Sequence, residues 1–181
     1  MDTTMKKWIP WIGWTLLAVI VVAVIVNLIV AVSIPTSIME ATITKKFNFP
    51  SNQWVFQPPI TDQSTDVVRP APDDIYSLCV YDVSQHPLRV TSMTTQYWTI
   101  SAFAMNTDNF FNLTSSQAKT NPVEVVFVSR GMTYQDPTGK AQVVTMPSDK
   151  GILMITMVIP NQDALPGILQ TQKQTTAELV K

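Results

Sequence analysis

Tyr97-Trp98-Thr99-Ile100-Ser101-Ala102-Phe103 is a strand-like segment, rich in aromatic and β-branched residues, just past the middle of the chain. Successive side chains of a strand point to opposite faces of its sheet. Trp98, Ile100 and Ala102 therefore share one face, and Tyr97, Thr99 and Ser101 share the other. We predict that Trp98 lies in the core and that Tyr97 faces a groove or a partner.

Similar segments lie on both sides of this one, separated by turn-forming residues and without intervening helices. They cover residues 75–81, 88–91, 123–129, 141–146 and 151–159, with a further short strand possible at 54–56. Closely spaced strands of this kind are typical of an all-β domain, an antiparallel sandwich or jelly-roll-like fold. After Pro160 the period changes, and we predict a short C-terminal helix capped by Asn161, with Leu179 on its apolar face. The predicted domain covers residues 67–181.

An apolar run of 27 residues without a charge occupies positions 8–34. A bilayer's hydrocarbon core needs roughly 20 such residues in a helix. Trp8, Trp11 and Trp14 crowd one end, as an aromatic belt would. We predict a transmembrane anchor helix at 8–35 that contacts the lipid bilayer. The alternative is a signal peptide, although its apolar region is typically only about 7–15 residues long.

The positive residues next to the run predict its orientation. Lys6 and Lys7 favour a cytoplasmic N-terminus at residues 1–7, and Lys45 and Lys46 oppose it weakly. We expect the C-terminal domain to be outside the cytoplasm. Asn27, within the run, either marks helix association or is a tolerated neutral amide.

Residues 36–66 carry several prolines and polar stretches such as Thr61-Asp62-Gln63-Ser64-Thr65-Asp66. Proline lacks a backbone donor and has a fixed φ, so repeated prolines break helices and central strands. We predict an irregular Pro-rich stalk or wrapping arm between the anchor and the domain.

Composition excludes several classes of function. The chain has 12 Lys and Arg against 13 Asp and Glu, and no basic patch, so nucleic-acid binding has no support. One cysteine, Cys79, excludes an internal disulfide, which fits a bacterial envelope protein better than a stapled secreted module. Cys79 lies in a strand-like run, so a buried, inert thiol is expected. With a single His86, a Cys/His zinc site is excluded, and we expect no metal and no cofactor.

Carboxylates and amides cluster at the ends of two predicted strands. If those strands are neighbours, the cluster could converge on one edge and bind Ca²⁺ or provide an acid–base pair. Asp and Asn at strand ends also make turns with their own backbone, which is the favoured interpretation. The weak catalytic candidates are Asp73, Asp74 and Asp108, and the neighbouring polar residues are Tyr76, Asp82, Asn106 and Asn109.

Phe110 and Phe111 are adjacent, so a regular strand cannot turn both inward. One of them should be exposed, at a bulge, or against another protein. The weak candidates for ligand or partner binding are Tyr76, Tyr97, Asn106, Asn109, Phe110 and Phe111.

Three blocks carry a resemblance to a known family. They are residues 67–84 (VVRPAPDDIYSLCVYDVS), residues 97–103 (YWTISAF) and residues 106–111 (NTDNFF). In this order they resemble the bacterial domain-of-unknown-function family twelve-fifty-four. The resemblance implies a domain often followed by a second β-rich domain, which in short membrane-anchored members is supplied by a separately encoded, similarly anchored protein. This chain looks like the short form, and the expected place is the bacterial inner membrane with a periplasmic domain.

Three hypotheses about function follow. The first is a non-catalytic, membrane-anchored envelope protein that associates with a second β-rich protein. The second is a hydrolase-like enzyme subunit with a site assembled at that interface. The third is a module that binds a small or lipid-like ligand between its sheets.

Overall fold

A computed structural model describes residues 5–67, 69–93 and 97–180, with side chains from Trp11 onward. Residues 1–4 of the predicted cytoplasmic N-terminus lie outside the described residues. The helical elements are α1 (Met5–Ala41), which continues as a π-helical turn (Thr42–Lys46), a 3₁₀ turn (Gln162–Ala164) and α2 (Leu165–Gln172). The strands are β1 (Val55–Phe56), β2 (Asp74–Asp82), β3 (Leu88–Ser92), β4 (Trp98–Ala104), β5 (Asn109–Thr114), β6 (Val123–Val128), β7 (Gln142–Thr145), β8 (Lys150–Val158) and β9 (Thr176–Leu179).

The strands form two sheets, which we call A and B. Sheet A has the order β1-β2-β8-β4-β5, and sheet B the order β7-β6-β3-β9. The fold class is thus the predicted sheet-rich domain with an N-terminal apolar helix and a short C-terminal helix. All strand pairs in the two sheets are antiparallel except β6 and β7, which are parallel. The long connection between them, residues 129–141, is of the length that a parallel crossover needs.

The main core contains the inner faces of the strands. Trp98, Ile100 and Ala102 are fully buried in it, as their alternation predicts, and Phe127 of sheet B belongs to the same cluster. Cys79 is a buried free thiol, also as predicted, and burial raises its pKa to about 12. The sandwich therefore has a conventional apolar interior.

A second apolar cluster lies on the outer face of sheet A, and we call it the helix–sheet junction. Leu78 and Val80 point outward from β2 and pack with Ile152 of β8. The chain after the apolar run covers them, with Met39 and Phe47 each only 6% exposed. Side chains on both faces of β2 are therefore buried.

The expectation that residues 36–66 are irregular throughout is wrong at its start. The helix passes Pro35 and continues to Ala41, and the π-helical turn carries it to Lys46. Met39 and Ile43 are one turn apart, so both reach sheet A from the same side of the helix. This packing outweighs the hydrogen bond that Pro35 cannot donate.

The segment that follows lies along β2. The backbone N–H of Asn52 donates to the Val80 carbonyl at 2.7 Å, and its side chain exchanges two hydrogen bonds with the Asp82 backbone. Further on, β1 pairs with β2. The side-chain amide of Gln172, 1% exposed, donates to the carbonyls of Gln57 and Tyr76. These bonds attach the segment from Asn52 to Gln57 to the domain.

The predicted C-terminal helix is correct only in part. It ends at Gln172, and residues 176–179 form β9 on the free edge of β3. Leu179 is therefore a strand residue, half exposed, and does not lie on a helical face. The ladder with β3 satisfies backbone groups that a continued helix would have left at that edge.

Candidate functional site

The predicted polar cluster is divided between the two ends of sheet A. Both β2 and β4 pair antiparallel with β8, so they run in the same direction. Asp74 is opposite Val158 at one end, and Asp82 is opposite Lys150 at the other, where the turn with Asp108 follows β4. The eight residue steps from Asp74 to Asp82 separate the two ends by about 26 Å at about 3.3 Å per residue. The polar residues therefore do not converge on one edge of the sheet.

At the first end, Asp74 and Tyr76 hold the entry into β2. The Tyr76 hydroxyl donates to Asp74 Oδ2 at 3.2 Å and accepts from the Ala71 backbone N–H at 3.1 Å. Burial raises the pKa of the Asp74 carboxyl, and the charge of Asp73 adds to this, while the Tyr76 hydrogen bond opposes both. Neighbouring Asp73 accepts the Ile159 N–H through its backbone carbonyl. These contacts are those of a turn.

At the second end, Asn106, Thr107 and Asp108 form a tight turn. The Asn106 amide donates to Asp108 Oδ2 at 2.5 Å, and the Asp108 backbone N–H donates back to Asn106 Oδ1 at 3.3 Å. Thr107 has φ of 69°, in the left-handed region. Among the described residues, no group of three or more His, Cys, Asp or Glu side chains could hold a metal. The turn-forming interpretation fits both ends.

The aromatic candidates differ in exposure. The register between β4 and β5 shifts near Ala102 and Phe103, which places Phe110 at a bulge, one of the predicted outcomes. Phe111 packs edge-on against Phe127 at 5.6 Å between ring centroids. Tyr97 is 55% exposed. Of these aromatics, Tyr97 has the most surface for a partner. Asn109, beside them, is exposed.

A polar network on the outer face of sheet B was not predicted. Arg89 of β3 makes ion pairs with Glu124 of β6 and with Asp136, at 2.6 Å for the latter, and it donates to the Tyr134 hydroxyl at 3.0 Å. Val126 lies opposite Arg89 in the neighbouring strand β6. It is fully buried but does not belong to the main core, so something on the outer face of the sheet covers it. The network thus holds the β6–β7 connection over the outer face of the sheet.

Asp136 is the centre of this network. Its carboxylate accepts from the Thr138 hydroxyl at 2.5 Å and from the backbone N–H groups of Ala141 and Lys140 at 3.1 and 2.9 Å. These bonds and the Arg89 pair hold the pKa of the Asp136 carboxyl well below its ordinary value of 3.8. Burial alone would lower the pKa of Arg89, but its bonds to Asp136 and Tyr134 raise it.

The depressed pKa of Asp136 predicts a pH dependence. Its contribution to stability is present above the unfolded-state pKa and is lost as the pH falls below about 4. We expect Asp136→Asn to lower the free energy of unfolding at pH 7 and to lower it clearly less at pH 2, where protonation of this carboxyl in the unfolded state has already removed part of its contribution. Urea unfolding of the full chain in micelles measures both values. The matched control is Asp66→Asn, an exposed residue, and a difference that stays constant from pH 2 to 7 would contradict the assignment.

A groove beside this network has a volume of about 590 Å³. Lys119 and Lys140 line it together with Glu124, and its other lining residues come mainly from the connections before β6 and β7. The groove contains none of the candidate residues singled out from the sequence. Two lysines and one glutamate among its lining residues give the groove mixed charge.

The surface of α1 is of a different kind from the rest of the chain. From Trp11 onward it is long and apolar enough to cross a membrane by length and composition, with a mean hydropathy of 3.1 over its most apolar part, and none of that part is buried. A signal sequence passes the same test. The helix ends at the helix–sheet junction, where Met39 and Phe47 are buried.

Fold and helix together define a class: a two-sheet β-domain attached at its N-terminal side to one exposed apolar helix. The sequence model of DUF1254, described as a protein of unknown function, matches residues 51–178, and the chain belongs to that family. No curated protein matches the chain.

Solved structures with a similar fold include the following two. The VPA0106 protein from Vibrio parahaemolyticus matches with a TM-score of 0.64 and 18% identity over 81% of this chain and 35% of that one. A putative uncharacterized protein from Burkholderia cenocepacia matches with a TM-score of 0.50 and 18% identity over 81% of this chain and 39% of that one. This chain thus spans little more than a third of either protein.

Proposed function

We propose that this protein is a membrane-anchored envelope protein whose β-domain associates with a separately encoded, second β-rich protein. The observation that carries the anchor is the exposed apolar surface of α1. The β-domain covers none of its most apolar part, and in water such a surface would be strongly unfavourable. A bilayer covers it without any further protein.

The length of the apolar run supports an anchor that is retained in the mature protein. The run has 27 residues without a charge, whereas the apolar region of a signal peptide is typically only about 7–15 residues long. The helix that contains the run continues without a break to the helix–sheet junction, where Met39 packs on the domain. We propose that the anchor lies in the bacterial inner membrane with the β-domain on the periplasmic side, an orientation that Lys6 and Lys7 before the apolar run favour.

The partner proposal is supported by the relatives. In both solved structures the matching region is joined to further chain that makes up more than half of the protein. The resemblance of the sequence blocks to family twelve-fifty-four implies that this further chain is a second β-rich domain. Tyr97 and the free edges of β5, β7 and β9 offer contact surface for such a domain.

Affinity purification of the tagged full-length protein from native membranes, followed by mass spectrometry, tests the association. We expect a stoichiometric, singly anchored, β-rich protein to co-purify. The matched variant is Tyr97→Ala, which should reduce the recovered partner if that surface forms the contact. A full-length protein recovered from membranes without any partner would contradict the proposal.

A further inference from the structure

The exposed surface of α1 has one face unlike the rest. A shallow groove of about 670 Å³ runs along it, lined among others by Thr15, Ala18, Val22, Ala23, Val26 and Asn27. The lining positions follow one another at three- and four-residue spacing and cover about half of the helix circumference, with Ala23 and Asn27, four residues apart, side by side on one edge. Two alanines among valines make that side lower than its surroundings, and small residues let two helix backbones approach closely in a membrane.

Asn27 is the polar residue of this face whose side chain has no partner. Thr15 satisfies its hydroxyl within the helix by donating to the Trp11 carbonyl at 2.8 Å. No hydrogen bond or other polar contact joins the Asn27 side chain to the described part of the chain. A carboxamide carries two donors and one acceptor oxygen with two lone pairs.

The depth of Asn27 makes this lack of a partner costly. It lies 13 residues after Trp14. That separation is about 20 Å along a helix at about 1.5 Å per residue, still inside a hydrocarbon layer of about 30 Å. Water does not satisfy polar groups there, so an amide in contact with lipid is unfavourable.

We propose that two copies of α1 pair in parallel through this groove, with their Asn27 amides hydrogen-bonded to each other. The inference rests on the proposed membrane anchor and adds a homodimeric contact to it. A second copy is the fitting occupant because an amide is self-complementary. In a parallel pair the two Asn27 side chains are at the same depth, and each donates to the other's carbonyl oxygen. The groove of one helix then receives the valines of the other.

Site-specific disulfide formation in native membranes tests the pairing with the full chain. Ala23→Cys puts a thiol in the groove on the same side of the helix as Asn27, and Ile25→Cys puts one about 160° round the helix from both residues at nearly the same depth. Native Cys79 does not compete, since it is buried in the main core. After oxidation with copper phenanthroline, we expect the Ala23→Cys protein to form covalent dimers at least several-fold more than the Ile25→Cys protein.

The role of Asn27 is tested in the Ala23→Cys background. We expect Asn27→Leu to lower the association constant about three-fold or more, whereas Asn27→Gln keeps an amide and most of the dimer. Equal cross-linking at positions 23 and 25, or dimers indifferent to Asn27→Leu, would overturn the pairing.

Washing the membranes with alkaline carbonate before oxidation separates the two proposals. Protein that stays in the membrane without position-specific dimers overturns the helix pairing alone. Protein that is washed out overturns the anchor and the pairing together.

Discussion

Gly151→Ala is expected to destabilise the β-domain by about 3 kcal/mol, near the upper end of the usual cost of overpacking a core. Gly151 lies in β8, between β2 and β4. A Cβ there would lie 2.2 Å from the Phe103 carbonyl oxygen and 2.5 Å from the Tyr81 hydroxyl oxygen. The carbonyl belongs to the backbone of a paired strand, so relief requires a shift of β4.

The Tyr81 side chain has little freedom to move away from the new methyl group. Its hydroxyl donates to that same Phe103 carbonyl at 3.3 Å and contacts the Ser148 hydroxyl at 3.4 Å. The substitution would disturb these contacts as well as the packing. Urea unfolding of the full chain in micelles measures the loss of free energy.

Gly167→Ala is the matched control. Gly167 is exposed on α2, and a Cβ there meets no atom within 4 Å. Alanine favours a helix over glycine by roughly 0.5–1 kcal/mol, so this variant should be as stable as the parent or slightly more stable. Equal stability of the two variants would show that the space around Gly151 is not as tight as the structure has it.

Phe47→Ala is expected to release the helix end from sheet A. Truncating a buried phenylalanine costs about 3 kcal/mol or more. We expect the loss of stability in the helix–sheet junction, because Phe47 packs there with Leu78 and Val80 and not in the main core. A loss of this size raises the population of locally opened states about 100-fold.

Hydrogen exchange of the amides at residues 40–49, measured on the full chain in lipid nanodiscs, reports this opening. We expect faster exchange there and unchanged protection in β3 and β6, which lie in the other sheet. Asn48→Ala is the control, because Asn48 is exposed next to Phe47. Acceleration spread over both sheets, or none at residues 40–49, would contradict a separate junction.

Local patterns predicted the strands well because the alternation of side chains and the turn residues that end a strand both lie within a few residues of each other. The alternation in residues 97–103 predicted the strand and the burial of Trp98. The adjacent Phe110 and Phe111 indicated a bulge as one outcome. Residues 176–179 were predicted incorrectly, because their pairing with β3 depends on an edge about 85 residues earlier in the chain. Such an edge has no local signal.

The helix–sheet junction and the Arg89 network were out of reach for the same reason. Met39, Phe47 and Leu78 meet only after folding, and Pro35 suggested that the helix would end before them. Arg89 lies 35 and 47 residues from Glu124 and Asp136. The polar cluster is divided because β2 and β4 run in the same direction, so the residues before β2 and those after β4 lie at opposite ends of the sheet. The sequence alone does not predict this relative direction.

The intact mass of the full-length protein in carbonate-washed membranes tests the central claim, a retained membrane anchor, most directly. We predict protein in the membrane pellet with a mass that includes residues 8–35. The β-domain should be reached by protease only from the periplasmic side. A soluble protein that begins near residue 34 would contradict the account, because α1 would then be a removed signal sequence.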